Sequence, residues 1–263
     1  ANRLQVNRAP VRRARDALGI LRVVMFAPED LALVKGDPAA RRRFLDLLLV
    51  QISPRYASVI ADYDKTIKQR NSLLRSASKA SSAQERDTLQ STLDVWNDRL
   101  VQFGADLVAG RVGLLERIRE PIRDAYVQVA APGNEVGLVY VPARVPAGTG
   151  DAAQVAAALR SALEQVRSEE LARGVTVVGP HRDELQIDLN DLPARGYASH
   201  GESWSLALAL RLASYEVLRD DDAGEPVLIL DDVFAELDAQ RRAHLAQAAA
   251  AARGQVLITA AVS

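Results

Sequence analysis

The stretch Pro226-Val227-Leu228-Ile229-Leu230-Asp231-Asp232 decides how the rest of the chain is read. Four consecutive aliphatic residues predict a short strand buried on both faces, as in a parallel sheet covered by helices. Two carboxylates at its exit stand where open α/β sheets bind ligands, at the carboxyl edge of the strands. Adjacent carboxylates repel one another, a cation relieves them, and Mg²⁺ takes carboxylate and phosphate oxygens. The pattern is that of a Walker B strand facing a nucleoside triphosphate. A buried strand ending in a solvated acidic turn is the plainer alternative. Upstream, Ser199-His200-Gly201-Glu202 opens an apolar helix that runs through Leu206, Leu208, Leu210, Leu212 and Leu218. Ser199-x-x-Glu202 is by itself a capping box. The same geometry, a hydroxyl and a glycine at a helix N-terminus, is also an anion site.

Taken together, these two segments resemble the signature motif and Walker B of an ABC-type ATPase head. More of the chain is similar to the bacterial RecF family: Gly179-Pro180-His181-Arg182-Asp183-Glu184-Leu185, Phe26-Ala27-Pro28-Glu29-Asp30-Leu31, Lys35-Gly36-Asp37-Pro38 with Arg42-Arg43-Phe44-Leu45-Asp46, and Gln69-Arg70-Asn71-Ser72-Leu73-Leu74. The blocks follow the family's order over nearly the whole chain. Its Ala- and Arg-rich composition, and Ser-His-Gly-Glu where many relatives carry Ser-Gln-Gly-Gln, look actinobacterial.

The resemblance implies an α/β fold, an ABC-type head of the P-loop NTPase kind with an inserted α-helical hairpin lobe. It assigns Ser199 and Gly201 to the γ-phosphate of an ATP held by a partner subunit, with Glu202 at the Gln/Glu position of the signature. Asp231 would hold Mg²⁺, and Asp232 would orient the attacking water. Most ABC ATPases carry Glu at the second position; the shorter Asp implies slow turnover. Glu236-Leu237-Asp238 resembles the D-loop, which touches the partner across the dimer. Glu29 and Asp30 fall near the nucleotide in the resemblance; as residues they read equally as acids at a helix N-terminus. Thr259 ends the next sheet strand, but Ala260 and Ala261 stand where a switch His is usual. The family implies an ATP-driven homodimer that binds duplex or gapped DNA, acts with RecR and RecO, and helps to load the recombinase.

Composition fits a cytoplasmic protein: 263 residues, no cysteine, and no apolar run of membrane-spanning length. Charge is uneven. Residues 1–75 carry fifteen Lys/Arg against seven Asp/Glu, while 219–238 carry one Arg and eight acids. A basic front and an acidic site suggest a polyanion partner and a separate cation site. Arg12, Arg13 and the run Arg41-Arg42-Arg43, expected on or near the surface, either contact DNA phosphates or solvate their helix. No G-x-x-x-x-G-K-[ST] loop occurs. A Walker A segment is therefore expected to precede residue 1, and the chain alone is expected to be inactive as an ATPase. The rival readings are another SMC- or ABC-type DNA-associated head, or a DNA- or protein-binding module with no catalysis.

The expected organisation is 1–36, remainder of an N-terminal ATPase lobe; 37–130, helical lobe; 131–198, a connection back; and 199–263, C-terminal ATPase lobe. In the helical lobe Tyr56, Ile60, Tyr63, Ile67, Arg70 and Leu74 repeat every three or four residues, as do Leu89, Leu93, Trp96, Leu100, Phe103 and Leu107. Two such helices joined by the serine-rich 76–82 turn must pack antiparallel. Arg70 interrupts the seam, so it either pairs with a carboxylate across the hairpin or contacts something else. Pro121 is expected to end or kink the second arm. His181, Arg182 and Asp183, in a turn before a strand, form a candidate ligand or interdomain contact, with a hydrogen-bonded structural histidine as the alternative.

Overall fold

The computed structural model describes residues 4–79, 82–130, 133–145, 151–221, 223–234, 239–251 and 254–259. Strands β1 (Gln5–Val6) and β2 (Ala9–Pro10) pair antiparallel. Asn7 and Arg8 between them both have positive φ, as a two-residue hairpin of this hand requires. Then come β3 (Val23–Phe26), α1 (Leu31–Lys35) and α2 (Pro38–Ile52). Pro38 sits in the first turn of α2, while the Asp37 carboxylate makes no cap hydrogen bond. It accepts from Arg195 instead, at 3.3 Å. The two hairpin arms follow, α3 (Arg55–Ala77) and α4 (Ala83–Val129). After β4 (Val136–Val141), Asp151 caps α5 (Ala152–Gln165), its carboxylate accepting from the Ala153 N–H at 3.1 Å. A second helix, α6 (Arg167–Arg173), follows α5 directly, and Gly174 ends it at φ +64°. Strands β5 (Glu184–Leu189) and β6 (Leu192–Pro193), α7 (Ala194–Tyr197), α8 (His200–Arg219), β7 (Val227–Leu230), α9 (Ala239–Ala251) and β8 (Val256–Ile258) complete the described chain.

Two compact units emerge. One contains Ala1–Pro54, Leu114–Val139 and Leu185–Ser263; the other contains Arg55–Gly113 and Tyr140–Glu184. The first holds a sheet in the order β3-β7-β8, all parallel, with Phe26 opposite Leu230 and Leu230 opposite Ile258. Helix α8 covers one face: Trp204 meets Phe26 edge-on at 5.1 Å between ring centres. Fourteen of its twenty residues are buried, as an all-round apolar helix demands. The strand expected to be buried on both faces is not. Leu228 and Leu230 are buried, but Val227 and Ile229 are half-buried, so the described sheet is covered more fully on one side. A second sheet has the order β4-β5-β6.

The second unit contains the hairpin. Tyr56 lies against Gly110, where a Cβ would meet its hydroxyl at 2.5 Å; Tyr63 lies against Gly104; and Arg70 donates to Asn97 at 2.8 Å. One index falls as the other rises, so the arms are antiparallel. Gly104 and Gly110 make room for the tyrosine rings. Pro121 neither ends nor breaks the helix: α4 continues past it to Val129. Arg70 is 1% exposed and pairs with a carboxylate, but that carboxylate is Glu170 of α6 rather than a residue across the hairpin.

Candidate functional site

Parallel register places three chain exits side by side. Because Phe26, Leu230 and Ile258 are aligned, Ala27–Asp30, Asp231–Asp232 and Thr259 all leave the sheet at its carboxyl edge. The Asp231 N–H donates to the Phe26 carbonyl at 2.9 Å, and the Thr259 N–H to the Leu230 carbonyl at 2.9 Å. The Thr259 hydroxyl then joins the two acids. It donates to Asp231 Oδ1 and accepts from the Asp232 N–H at 3.1 Å. Asp232 takes a left-handed turn at φ +48°, a conformation that Asp adopts more readily than most residues. Both carboxylates are half-buried. The edge therefore offers two carboxylates and a hydroxyl, an all-oxygen set suited to a hard cation. Among the described residues no three His, Cys, Asp or Glu side chains cluster closely enough to hold a metal by themselves.

Asp30 stands at this edge, but its carboxylate is engaged. It accepts from Arg211 Nη2 at 2.6 Å and Nε at 3.0 Å, and from the Ala27 N–H at 3.1 Å. Arg211 also lies over the Phe44 ring, 5.5 Å from its centre. The fork fastens α8 to the turn after β3. Sequence reasoning missed Arg211. The available signal was a single cation amid the apolar run between Glu202 and Glu216. Glu29 is exposed.

The start of α8 is built as the capping box predicts. Ser199 Oγ accepts from the Glu202 N–H at 3.3 Å, and Glu202 Oε2 accepts from the Ser199 N–H at 2.8 Å. The Asn134 amide adds a third bond, to Glu202 Oε1 at 3.2 Å. Ser199 and His200 are exposed, and the space a Cβ would fill at Gly201 is open. No hydrogen bond joins Ser199–Glu202 to Asp231–Asp232 among the described residues. The Ser199 N–H, its hydroxyl and Asn134 hold the Glu202 carboxyl below the usual range. The folded carboxyl thus binds its proton more weakly than the unfolded one. The cap's contribution is complete above the unfolded value, about 4.3, and is lost as pH falls through the lowered folded value. Thermal midpoints of wild type and Glu202→Gln are expected to converge as the pH is lowered through that window. A gap that is independent of pH would show that the carboxylate is not the capping group.

His181, Arg182 and Asp183 belong to the second unit. His181 Nδ1 lies 2.8 Å from the Tyr63 hydroxyl and its Nε2 lies 3.3 Å from the Thr176 carbonyl, so both ring nitrogens have partners. Asp183 is buried and accepts from the Tyr140 hydroxyl at 2.7 Å and the Ala143 N–H at 2.8 Å. Burial pushes both tyrosines well above their ordinary range. Arg182 is exposed, though it too donates to the Thr176 carbonyl, at 3.3 Å. This turn is internally bonded.

The basic candidates divide. Arg12, Arg13 and Arg43 are exposed and Arg42 is half-buried. Arg41 is not on the surface: it is 4% exposed and donates to the Leu33 and Gly36 carbonyls at 3.1 and 3.0 Å. It ties down the C-terminal end of α1, whose last carbonyls need donors. Glu236 and Asp238 lie outside the described residues.

No family model matches the chain. It is 56% identical over 266 residues to the DNA replication and repair protein RecF of Frankia alni, covering all of this chain and 70% of that one. Against the RecF of Streptomyces avermitilis it is 53% identical over 263 residues, covering 69% of that protein. The chain belongs to the RecF family. The RecF resemblance read from Phe26–Leu31, Gly179–Leu185 and the other blocks is borne out, and these relatives are actinobacterial. A further RecF, from Beutenbergia cavernae, is 51% identical over 284 residues. Two solved structures of the recombination mediator protein RecF in the RecFOR pathway, one with ATP and one with ATPrS, share the fold. Their TM-scores are 0.86 and 0.85, at 25% and 26% identity, and they cover 99% and 98% of this chain and 68% and 67% of theirs. No helix among the described residues of this RecF-family chain is long and apolar enough to cross a membrane.

Proposed function

We propose that this chain is most of an ABC-type ATPase head with an inserted helical hairpin lobe. With ATP and Mg²⁺ it pairs with a second copy of itself and holds duplex or gapped DNA by phosphate contacts. It acts in the cytoplasm, in recombinational repair with RecR and RecO, and assists recombinase loading. The observation that carries this reading is the shared carboxyl edge, with Asp231, Asp232 and Thr259 gathered by parallel register, in a chain of RecF ancestry. Asp231, with Thr259 bonded to it, would hold Mg²⁺; the ion would neutralise phosphate charge. Asp232 would orient the water. The exposed start of α8, with the Ser199 hydroxyl and the open space at Gly201, suits a phosphate presented by the partner subunit. Glu236 and Asp238 would face that partner. Arg12, Arg13, Arg42 and Arg43 are the candidates for DNA phosphates in the first unit.

The test is the mass in solution, by sedimentation, of two polypeptides. One is the chain alone; the other is the chain joined upstream of Ala1 to a segment carrying a G-x-x-x-x-G-K-[ST] P-loop. The joined polypeptide is expected to dimerise with ATP and Mg²⁺ but not with ADP, and Ser199→Arg is expected to abolish dimerisation. A mass indifferent to ATP in the joined polypeptide would overturn the reading and leave a non-catalytic binding module.

A further inference from the structure

The chain has only four lysines, at 35, 65, 68 and 79, against twenty-nine arginines. Three of the four fall on one short segment. Lys65 and Lys68 lie on the exposed side of α3, Ser72 and Arg75 continue the same spacing of three and four, and Lys79 follows in the turn beyond Ala77. On a helix of 3.6 residues per turn this is one stripe. It runs opposite the seam of Tyr56, Tyr63, Arg70 and Leu74, which is buried against the rest of the unit.

These cations are exposed, and none makes an ion pair among the described residues. That sets them apart from their surroundings. In the same unit, Arg144 and Arg173 are paired with Glu169, Arg160 with Asp98 and Arg167 with Asp94. Asp62 and Asp64 stand exposed just before the stripe, but from Lys65 to Lys79 the chain carries no Asp or Glu. Arg75 is held in place, its stem packed on Gly174, where a Cβ would come within 3.1 Å. The helical part of the stripe, from Lys65 to Arg75, spans about 15 Å at 1.5 Å per residue. Lysine is a compact, mobile point charge, suited to phosphates that it need not grip in a fixed geometry.

We infer that the outer face of α3 is a second nucleic-acid contact, in which Lys65, Lys68, Arg75 and Lys79 follow the phosphates of a DNA backbone without reading its bases. The inference rests on the DNA-binding reading above and adds a surface to it. The ligand is the phosphate backbone; an acidic protein surface is the outcome the test must separate from it.

The test uses the polypeptide joined to the P-loop segment, with Lys65, Lys68, Arg75 and Lys79 all changed to Gln, and a random-sequence duplex titrated at several salt concentrations. Each released phosphate contact removes about 0.9 from the slope of log affinity against log salt, so the variant is expected to lose a slope of roughly 3 to 4. ATP-dependent dimerisation of the variant, measured in parallel, is expected to be unchanged. If the slope and affinity match wild type while dimerisation persists, the stripe does not bind DNA and this inference fails alone. If wild type neither binds the duplex nor dimerises, the reading beneath it fails. A variant that loses the slope without any ATP-dependent dimerisation in wild type would keep the stripe and discard the ATPase.

Discussion

Arg70→Ala is expected to lower the unfolding free energy by about 3–5 kcal/mol, the usual consequence of breaking a buried ion pair from one side. The guanidinium and the Glu170 carboxylate are 2% and 1% exposed and 2.5 Å apart. Every arm of the fork is used. Nε donates to Asn97 and Nη1 to Thr176, both at 2.8 Å, while Nη2 takes Glu170 Oε2. The other carboxylate oxygen accepts from the Val177 N–H at 2.7 Å, and Asn71 accepts from the Thr176 N–H and hydroxyl at 2.7 and 2.6 Å. One residue of α3 thus fastens α4, α6 and the segment before the Gly179 turn. Removing it leaves a buried anion with no counter-charge. Replacing both partners, as Arg70→Leu with Glu170→Leu, removes the charge as well as the bond. It is expected to cost clearly less than the two single losses added together. Urea unfolding of the four proteins gives the comparison. A loss below about 1 kcal/mol for Arg70→Ala would mean that water reaches the pair.

Asp232→Asn is expected to slow ATP turnover by about 10²–10⁴-fold, the range for losing a positioned general base, in the polypeptide joined to the P-loop segment. The substitution is nearly isosteric, and Asn tolerates the positive φ that this position requires. The backbone N–H to the Thr259 hydroxyl is untouched. Nucleotide binding and dimerisation should therefore survive, and only the single-turnover rate should fall. Asp231→Ala should differ, weakening Mg²⁺-dependent binding itself. Equal single-turnover rates for wild type and Asp232→Asn would remove Asp232 from the chemistry.

Local pattern in the sequence accounts for much of what is seen. The strands at 136–141 and 227–230, the capping box at Ser199, the Asp151 cap and the two heptad arms all follow from periodicity and end signals within a few residues. Arg70 showed as a break in a heptad, which was enough to expect a carboxylate but not to place it on α6. Three things were not legible. Arg41 sits in a basic run that reads as surface, yet it turns inward to unmet carbonyls of the preceding helix. Arg211 and Asp30 meet across 181 residues, beyond any local period. Pro121 carried the usual helix-breaking signal, and α4 runs through it.

The neighbouring strands β3 and β7 are consecutive in the sheet but distant in the chain; Arg22, just before β3, and Asp221, between α8 and β7, are 199 residues apart and bonded at 3.0 Å. Loop-closure entropy rises by only about 0.6 kcal/mol per doubling of length. Relative to a crossover of about a dozen residues, the detour costs roughly 2–3 kcal/mol. A further hundred residues added to the hairpin would cost about 0.4 kcal/mol more. By chain entropy alone, the length of the arm is nearly a free variable for the sheet that carries it.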